Sequence, residues 1–218
     1  MSAPVNWLQQ MQSALQTIPA GVRPRLLLHA CCGPCSSAVL EQLRRTFDIT
    51  VYYYNPNTWP EAEYRRRGQE LARLLQQLPG EGTVDLAEDP YRPEEFYQAA
   101  AGLEAEPERG SRCTACYRLR LSRAAAYAAA HGFDWFCSTL SISPHKDAAR
   151  LNAIGLELEK EYGVRWLPSD FKKKEGYKRS LELSREYGLY RQAYCGCEFS
   201  AKARGIDPEN AALPPEEK

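Results

Sequence analysis

The chain has 218 residues, 44% of them hydrophobic and 26% charged, and its 28 basic residues balance 28 acidic ones. This is too apolar for a disordered chain and long enough for one substantial core, and no apolar run approaches the ~20 residues of a membrane span. Eight cysteines would suit a secreted disulfide scaffold, but such scaffolds are far shorter. The opening MSAPVNWLQQMQSALQTIPAGVR also lacks the basic start and unbroken apolar stretch of a secretory leader. A cytoplasmic protein whose cysteines do chemistry is therefore expected.

Val5, Leu8, Met11, Leu15 and Ile18 are spaced for one face of a helix. The spacing predicts an N-terminal helix over 5–18, packed on the domain and ended by Pro19, Gly21 and Pro24. Arg25 to Ala30 is a short buried strand. CCGPCSS is a loop, and Ser36 or Ser37 can cap the helix AVLEQLRRTF. Asp48 to Tyr54, rich in β-branched and aromatic residues, is a second strand. After the loop NPNTWP, a charged amphipathic helix spans 61–78 and stops before Pro79-Gly80. A strand near Val84 to Ala87 and a helix near Pro93 to Leu103 follow. The polar loop EAEPERGSR delivers Cys113 and Cys116 to the start of the helix RLRLSRAAAYAAAHG. Phe133 to Thr139 is a strand, Asp147 to Tyr162 a helix, Val164 to Leu167 a strand and Tyr177 to Tyr187 a last helix. The acidic, Pro-rich end reads as a frayed tail. No internal repeat is present.

Strands alternating with helices imply a parallel α/β sheet with right-handed crossovers, and ligands then sit beyond the carboxyl ends of the strands. CCGPC follows the first strand at that rim. Cys137 starts to leave the sheet at the same edge, and SISPHKD comes next. A phosphate-binding loop here would be rich in glycine. This one keeps a single Gly, and Pro34 has no N–H to donate. A soft-metal site fits better.

Seven cysteines fall in three groups: Cys31, Cys32 and Cys35; Cys113 and Cys116; Cys195 and Cys197. Cys137 stands alone in an apolar stretch and reads as a small buried hydrophobe. Cys113 and Cys116 have the spacing of a redox pair, but they lie far from the first strand and a second thiol group is available. Four thiolates from two pairs suit a tetrahedral zinc or a cubane iron–sulfur cluster. The adjacency of Cys31 and Cys32 is unusual for zinc and tilts the choice toward iron–sulfur. In Cys195-Gly196-Cys197, one intervening Gly allows a small, strained and reducible ring. The alternative is two further metal ligands.

Zero net charge conceals a local asymmetry. Arg109, Arg112, Arg118, Arg120 and Arg123 lie in a stretch without acids, and eight basic residues between Arg165 and Arg191 face four acidic ones. Tyr117, Tyr177, Tyr187, Tyr190 and Tyr194 are interleaved. Cationic surface with exposed aromatics suits a folded RNA, and solvated helix faces would read the same way. His145, in a loop at the active rim, is open to three readings: proton donor, RNA contact or plain loop residue.

Together LLLHACCGPCSSAVLEQL, YYYNPN, EAEPERGSRCTACYRLRL, STLSISPHKD and DFKKKEGYKRSLELSREYGLYRQAYCGC resemble the QueH family of epoxyqueuosine reductases, from about Arg25 to Ser200. The resemblance implies a Rossmann-like sheet of the adenine-nucleotide alpha-hydrolase (HUP) type, its phosphate loop replaced by cysteines. It also implies cobalamin-independent reduction of epoxyqueuosine to queuosine at the wobble position of tRNA. Carried over by motif, Cys31, Cys32, Cys113 and Cys116 are 4Fe-4S ligands, and Cys195 and Cys197 a redox-active disulfide. Cys35 is left as a ligand in place of one of the four or as part of a second site holding an additional iron ion. The expected organisation is an N-terminal helical extension over 1–24, a catalytic iron–sulfur domain over 25–200 and a flexible tail over 201–218. The partners are tRNA and an unidentified electron donor. Two alternatives stand beside this reading: an iron–sulfur tRNA-thiolating enzyme, disfavoured by the missing ATP loop, and a non-catalytic zinc-stabilised RNA-binding module.

Overall fold

Leu26, Leu27 and Leu28 have no exposed surface, which a strand achieves only when both faces of its sheet are covered. The computed structural model, which describes residues 5–78 and 84–207, shows how. Five strands, β1 (Arg25–Ala30), β2 (Asp48–Tyr53), β3 (Val84–Glu88), β4 (Trp135–Ser138) and β5 (Arg165–Trp166), form one all-parallel sheet in the order β3-β2-β1-β4-β5. The described helices flanking it are α1 (Trp7–Gln16), α2 (Gly33–Leu43), α3 (Glu61–Gln77), α4 (Pro93–Ala100), α5 (Ser111–Ala130), α6 (Ala148–Tyr162), α7 (Gly176–Glu186) and α8 (Glu198–Ala203). Chain order reverses between β1 and β4, which pair with His29 opposite Ser138. A parallel sheet opens a crevice at such a reversal, and Cys31 and Thr139 stand directly beyond it.

Several helix starts follow local chemistry. Asn6 caps α1 through its side chain, which accepts from the Gln9 N–H at 3.1 Å, and Met11 anchors that helix in the core. Asp147 caps α6 by accepting from the Arg150 N–H at 3.0 Å. Gly163 ends α6 in the left-handed region, at φ 72°.

Two helices begin earlier than expected. α2 starts at Gly33, with Cys32 as its cap residue and a proline in its first turn, a position that suits the fixed φ of proline. Ser36 and Ser37 are not the caps. Their hydroxyls donate back to the carbonyls of Cys32 at 2.8 Å and Pro34 at 3.0 Å. α5 starts at Ser111, so Cys113 and Cys116 lie within its first two turns. The group that satisfies its N-terminal end lies in the preceding loop: the Glu106 carboxylate accepts the Ser111 N–H at 3.0 Å.

Elsewhere the elements fall close to the expected spans. β4 ends at Ser138, and Thr139 to Ile142 form a 3-10 turn instead of more strand. Cys137 is still inside β4, paired opposite Leu28 and fully buried, so it belongs to the core rather than the rim. α8 was not foreseen. It runs across residue 200, where the catalytic domain was expected to end. The end of the chain read as a tail lies outside the described residues from 208 onward, as does Pro79-Gly80.

Candidate metal centre and redox pair

Two residues past β1, an extended Cys32 (φ −175°) turns the chain into α2. The Sγ atoms of Cys31, Cys32 and Cys35 come within 4.8 Å of one another, with Cys31 and Cys32 at 3.6 Å. No side chain caps α2. Its free N–H groups and positive dipole end therefore favour negative charge at this point. The crevice that serves phosphate in nucleotide-binding relatives of this architecture here holds sulfur.

The thiols are not equivalent. Hydrogen bonds from the Cys32 and Cys35 thiols hold Cys31 well below the usual thiol range. Its backbone N–H donates to Thr139 Oγ1 at 3.4 Å. The same sharing pushes Cys32 up to about 12, and Cys35 is raised as well. One thiolate steadied by two thiols is a donor set for a thiophilic metal. Gln192 adds a further contact, donating from Nε2 to Cys32 Sγ at 3.1 Å. Its own Oε1 is buried without a partner.

The second pair sits on the start of α5. Cys113 accepts the Arg109 N–H at 3.2 Å. Cys116 packs with Cys195 and Cys197 around Phe96 and Ala100, and burial raises its thiol. Arg120, one turn on, reaches Cys116 Sγ at 4.0 Å from Nη1.

The third pair is held by α3. Cys195 and Cys197 Sγ are 3.5 Å apart, a thiol–thiol contact, and the eight cysteines are all free. Gly196 between them takes φ 117°. A Cβ there would stand 2.8 Å from Arg67 Nη1. Arg67 is fully buried, pairs with Glu63 at 2.7 Å and donates to the carbonyls of Cys195 at 3.1 Å and Tyr194 at 3.4 Å. The Trp59 N–H donates to Gly196 O at 2.8 Å. The Cys197 thiol, by its hydrogen bond, holds Cys195 well below the ordinary thiol range, and Lys146 adds to that.

A cleft of roughly 150 Å³ joins the first and third groups; Cys31, Cys35, His145, Lys146, Gln192 and Cys195 are among its walls, and Cys113 and Cys116 are not. His145 is exposed. Lys146 is half-buried and lies 5.9 Å from the Tyr117 ring centroid. Burial alone would lower its ammonium, but the anionic forms of Cys195, Tyr117 and Cys116 outweigh that and hold the proton more tightly. Below the cleft, His29 bridges Ser138 Oγ at 2.8 Å and Tyr54 O at 3.1 Å. Burial, aided by Arg120, depresses its pKa to about 3, so it stays neutral.

The cationic stretches are less of a surface than their sequence suggests. Arg112 and Arg120 are buried, and Arg112 is enclosed by the carbonyls of Leu103, Glu104 and Glu106. Arg118, Arg123 and Arg179 pair with Glu157, Asp89 and Glu41, and Lys172 with Asp170. Tyr117 and Tyr194 are buried, so neither is an exposed platform. Lys173 and Lys174 remain in solvent. Sequence reasoning counted Arg120 as surface and passed over Arg67, Lys146 and Gln192, although the last two lie inside motifs it had marked.

A doubly flanked parallel sheet that gathers three thiols after β1, where nucleotide-binding sheets of this type place a phosphate loop, defines a candidate metal-binding site. The model of the family "Epoxyqueuosine reductase QueH" matches residues 26–203. Epoxyqueuosine reductase QueH of Streptococcus pyogenes is 44% identical over 92% of this chain and 78% of its own length. That of Staphylococcus epidermidis is 44% identical over 86% and 80%, and that of Thermotoga maritima 32% identical over 82% and 91%. The chain belongs to the QueH family of epoxyqueuosine reductases, which are oxidoreductases. Among solved structures, the U34-tRNA thiolase NcsA of Methanococcus maripaludis with its [4Fe-4S] cluster shares the fold, with a TM-score of 0.52 at 10% identity over 88% of this chain and 67% of that one. Among the described residues, no helix is long and apolar enough to cross a membrane.

Proposed function

We propose that this chain reduces epoxyqueuosine in tRNA to queuosine, with Cys31, Cys32, Cys113 and Cys116 as ligands of a 4Fe-4S cluster and Cys195 with Cys197 as its redox pair. The observation that carries the reading is the 3.5 Å approach of the Cys195 and Cys197 sulfurs at a cleft that Cys31 and Cys35 also line. The donor set fits such a group: soft sulfur ligands, and beside them a buried guanidinium with an unpartnered Nε. When bound, a cubane cluster supplies single electrons.

The rest of the chemistry falls to the side chains. Opening an epoxide to an alkene removes its oxygen as water and takes two electrons and two protons. Closing the Cys195 thiolate and the Cys197 thiol into one disulfide releases two electrons and one proton, and the Lys146 ammonium holds the second proton. Cys195, held as a thiolate by Cys197 and Lys146, is the reactive member of the pair. Lys146 keeps a proton at Nζ within the same cleft. Arg67 and Glu63 fix the loop so that the two sulfurs stay together. Cys35 is the spare thiol of its group and can serve an additional iron ion. Lys173 and Lys174 offer charge to the tRNA backbone. An external electron donor restores the dithiol after each turnover, and free thiols in this number suit the reducing cytoplasm.

The test is anaerobic incubation of the iron-loaded protein with epoxyqueuosine-containing tRNA and a chemical reductant, followed by nucleoside mass spectrometry. Queuosine should form with the natural chain and not with Cys195→Ser. No conversion by the natural chain, or undiminished conversion by the variant, would overturn the assignment.

A further inference from the structure

Among the described residues, no carboxylate pairs with the buried charge of Arg120. This residue is 3% exposed and follows Cys116 by four residues, on the same face of α5. Nη1 lies 4.0 Å from Cys116 Sγ. Nη2 donates to Asn55 Oδ1, and Asn55 Nδ2 donates to the Ala30 carbonyl at 2.9 Å. Ala30 is the last residue before Cys31. Thus one guanidinium is strapped through one amide to the end of β1, between the thiols that follow β1 and those that begin α5. Its described partners are an amide and a thiol, and Nε has none.

A lone buried guanidinium is costly unless opposite charge faces it. Here the facing groups are sulfurs. Nη1 faces Cys116 Sγ and Asn55 ties the guanidinium to the residue before Cys31, so its charge lies beside both cysteine pairs. Arginine suits this place better than lysine, because it stays cationic when buried and its planar fork can hold Asn55 while facing sulfur.

We propose that Arg120 is a positioning residue that sets the reduction potential of the iron–sulfur group held by the two cysteine pairs, with Asn55 aiming it. This rests on the iron–sulfur reading above. Every electron accepted by such a group adds one negative charge to a buried site, where a fixed cation is weakly screened. The cation stabilises the reduced form more than the oxidised one and raises the potential. Potentials of these groups do respond to charge and hydrogen bonding at their sulfurs.

The experiment is a potentiometric titration of the anaerobically purified protein, read by the electron paramagnetic resonance of the reduced iron–sulfur group, with iron and sulfide assayed first. Arg120→Gln should keep its iron and titrate at a more negative potential than the natural chain, while Arg120→Lys stays close to it. Asn55→Asp keeps the guanidinium but places a carboxylate on it, and should also move the potential downward. Equal midpoints in the natural chain, Arg120→Gln and Asn55→Asp would overturn the proposal. If Arg120→Gln loses its iron, Asn55→Asp decides alone: a lower midpoint supports the role and an unchanged one refutes it. A natural chain without iron and sulfide fails differently, since that result strikes the iron–sulfur reading itself.

Discussion

The Arg67 guanidinium donates to the main-chain oxygen of Cys195 at 3.1 Å across 128 positions of sequence. Through that bond a buried ion pair inside α3 becomes the support of the reactive thiols. Removing one partner of such a pair leaves an uncompensated buried charge, which costs about 3–5 kcal/mol. Glu63→Ala should therefore lower the unfolding free energy by an amount of that order in urea denaturation. A loss of only a few tenths would mean that Arg67 is satisfied by the carbonyls alone.

Gly196 carries the second requirement of that loop. At φ 117°, with Arg67 Nη1 placed 2.8 Å from a would-be Cβ, any side chain is strained. Gly196→Ala should cost about 1–3 kcal/mol and slow turnover, because the loop can relax only by moving a sulfur. Reductase activity and melting temperature both at the natural value would contradict this.

The hydrogen bond from the Cys197 thiol, with Lys146 behind it, holds Cys195 as a thiolate below the pH at which ordinary thiols ionise. Since the thiolate is the nucleophile, alkylation at Cys195 should begin at lower pH than that of a free cysteine. Cys197→Ala should move this onset upward the most, and Lys146→Met should move it upward by less. Mass spectrometry locates the modified residue. An onset unchanged in both variants would refute the electrostatic account.

Lys173 and Lys174 are exposed, whereas Lys172 is tied to Asp170. Exchanging Lys173 and Lys174 for Glu should weaken tRNA binding and flatten its salt dependence by roughly 0.7–0.9 per lost phosphate contact. The Lys172→Glu exchange should do less to the salt slope. Identical slopes for the natural chain and the double variant would place the RNA surface elsewhere.

How far the sequence reached can be argued from these residues. The parallel sheet was legible because Arg25 to Ala30 and Asp48 to Tyr54 read as strands between helices, and the carboxyl-edge rule then placed CCGPC beyond the first of them. The caps of α2 and α5 were not legible. In one case a proline and an extended cysteine replace the hydroxyl cap, and in the other the stabilising carboxylate of Glu106 lies outside the helix. Arg112 and Arg120 read as surface charge because one-dimensional charge counts cannot see that three carbonyls, or an asparagine and a thiol, await a guanidinium in the fold. The thiol groups were visible as spacing. Their arrangement around Arg67, Arg120 and Lys146 depends on contacts between α3, α5 and the 190s loop, and no local pattern encodes those.

The most direct test of the central claim is the iron and acid-labile sulfide content of anaerobically purified protein, compared with that of Cys116→Ser and Cys195→Ser. The account predicts brown protein with about four irons and four sulfides per chain, retained in Cys195→Ser and lost in Cys116→Ser. Colourless protein carrying zinc, or iron lost from Cys195→Ser and kept in Cys116→Ser, would contradict it.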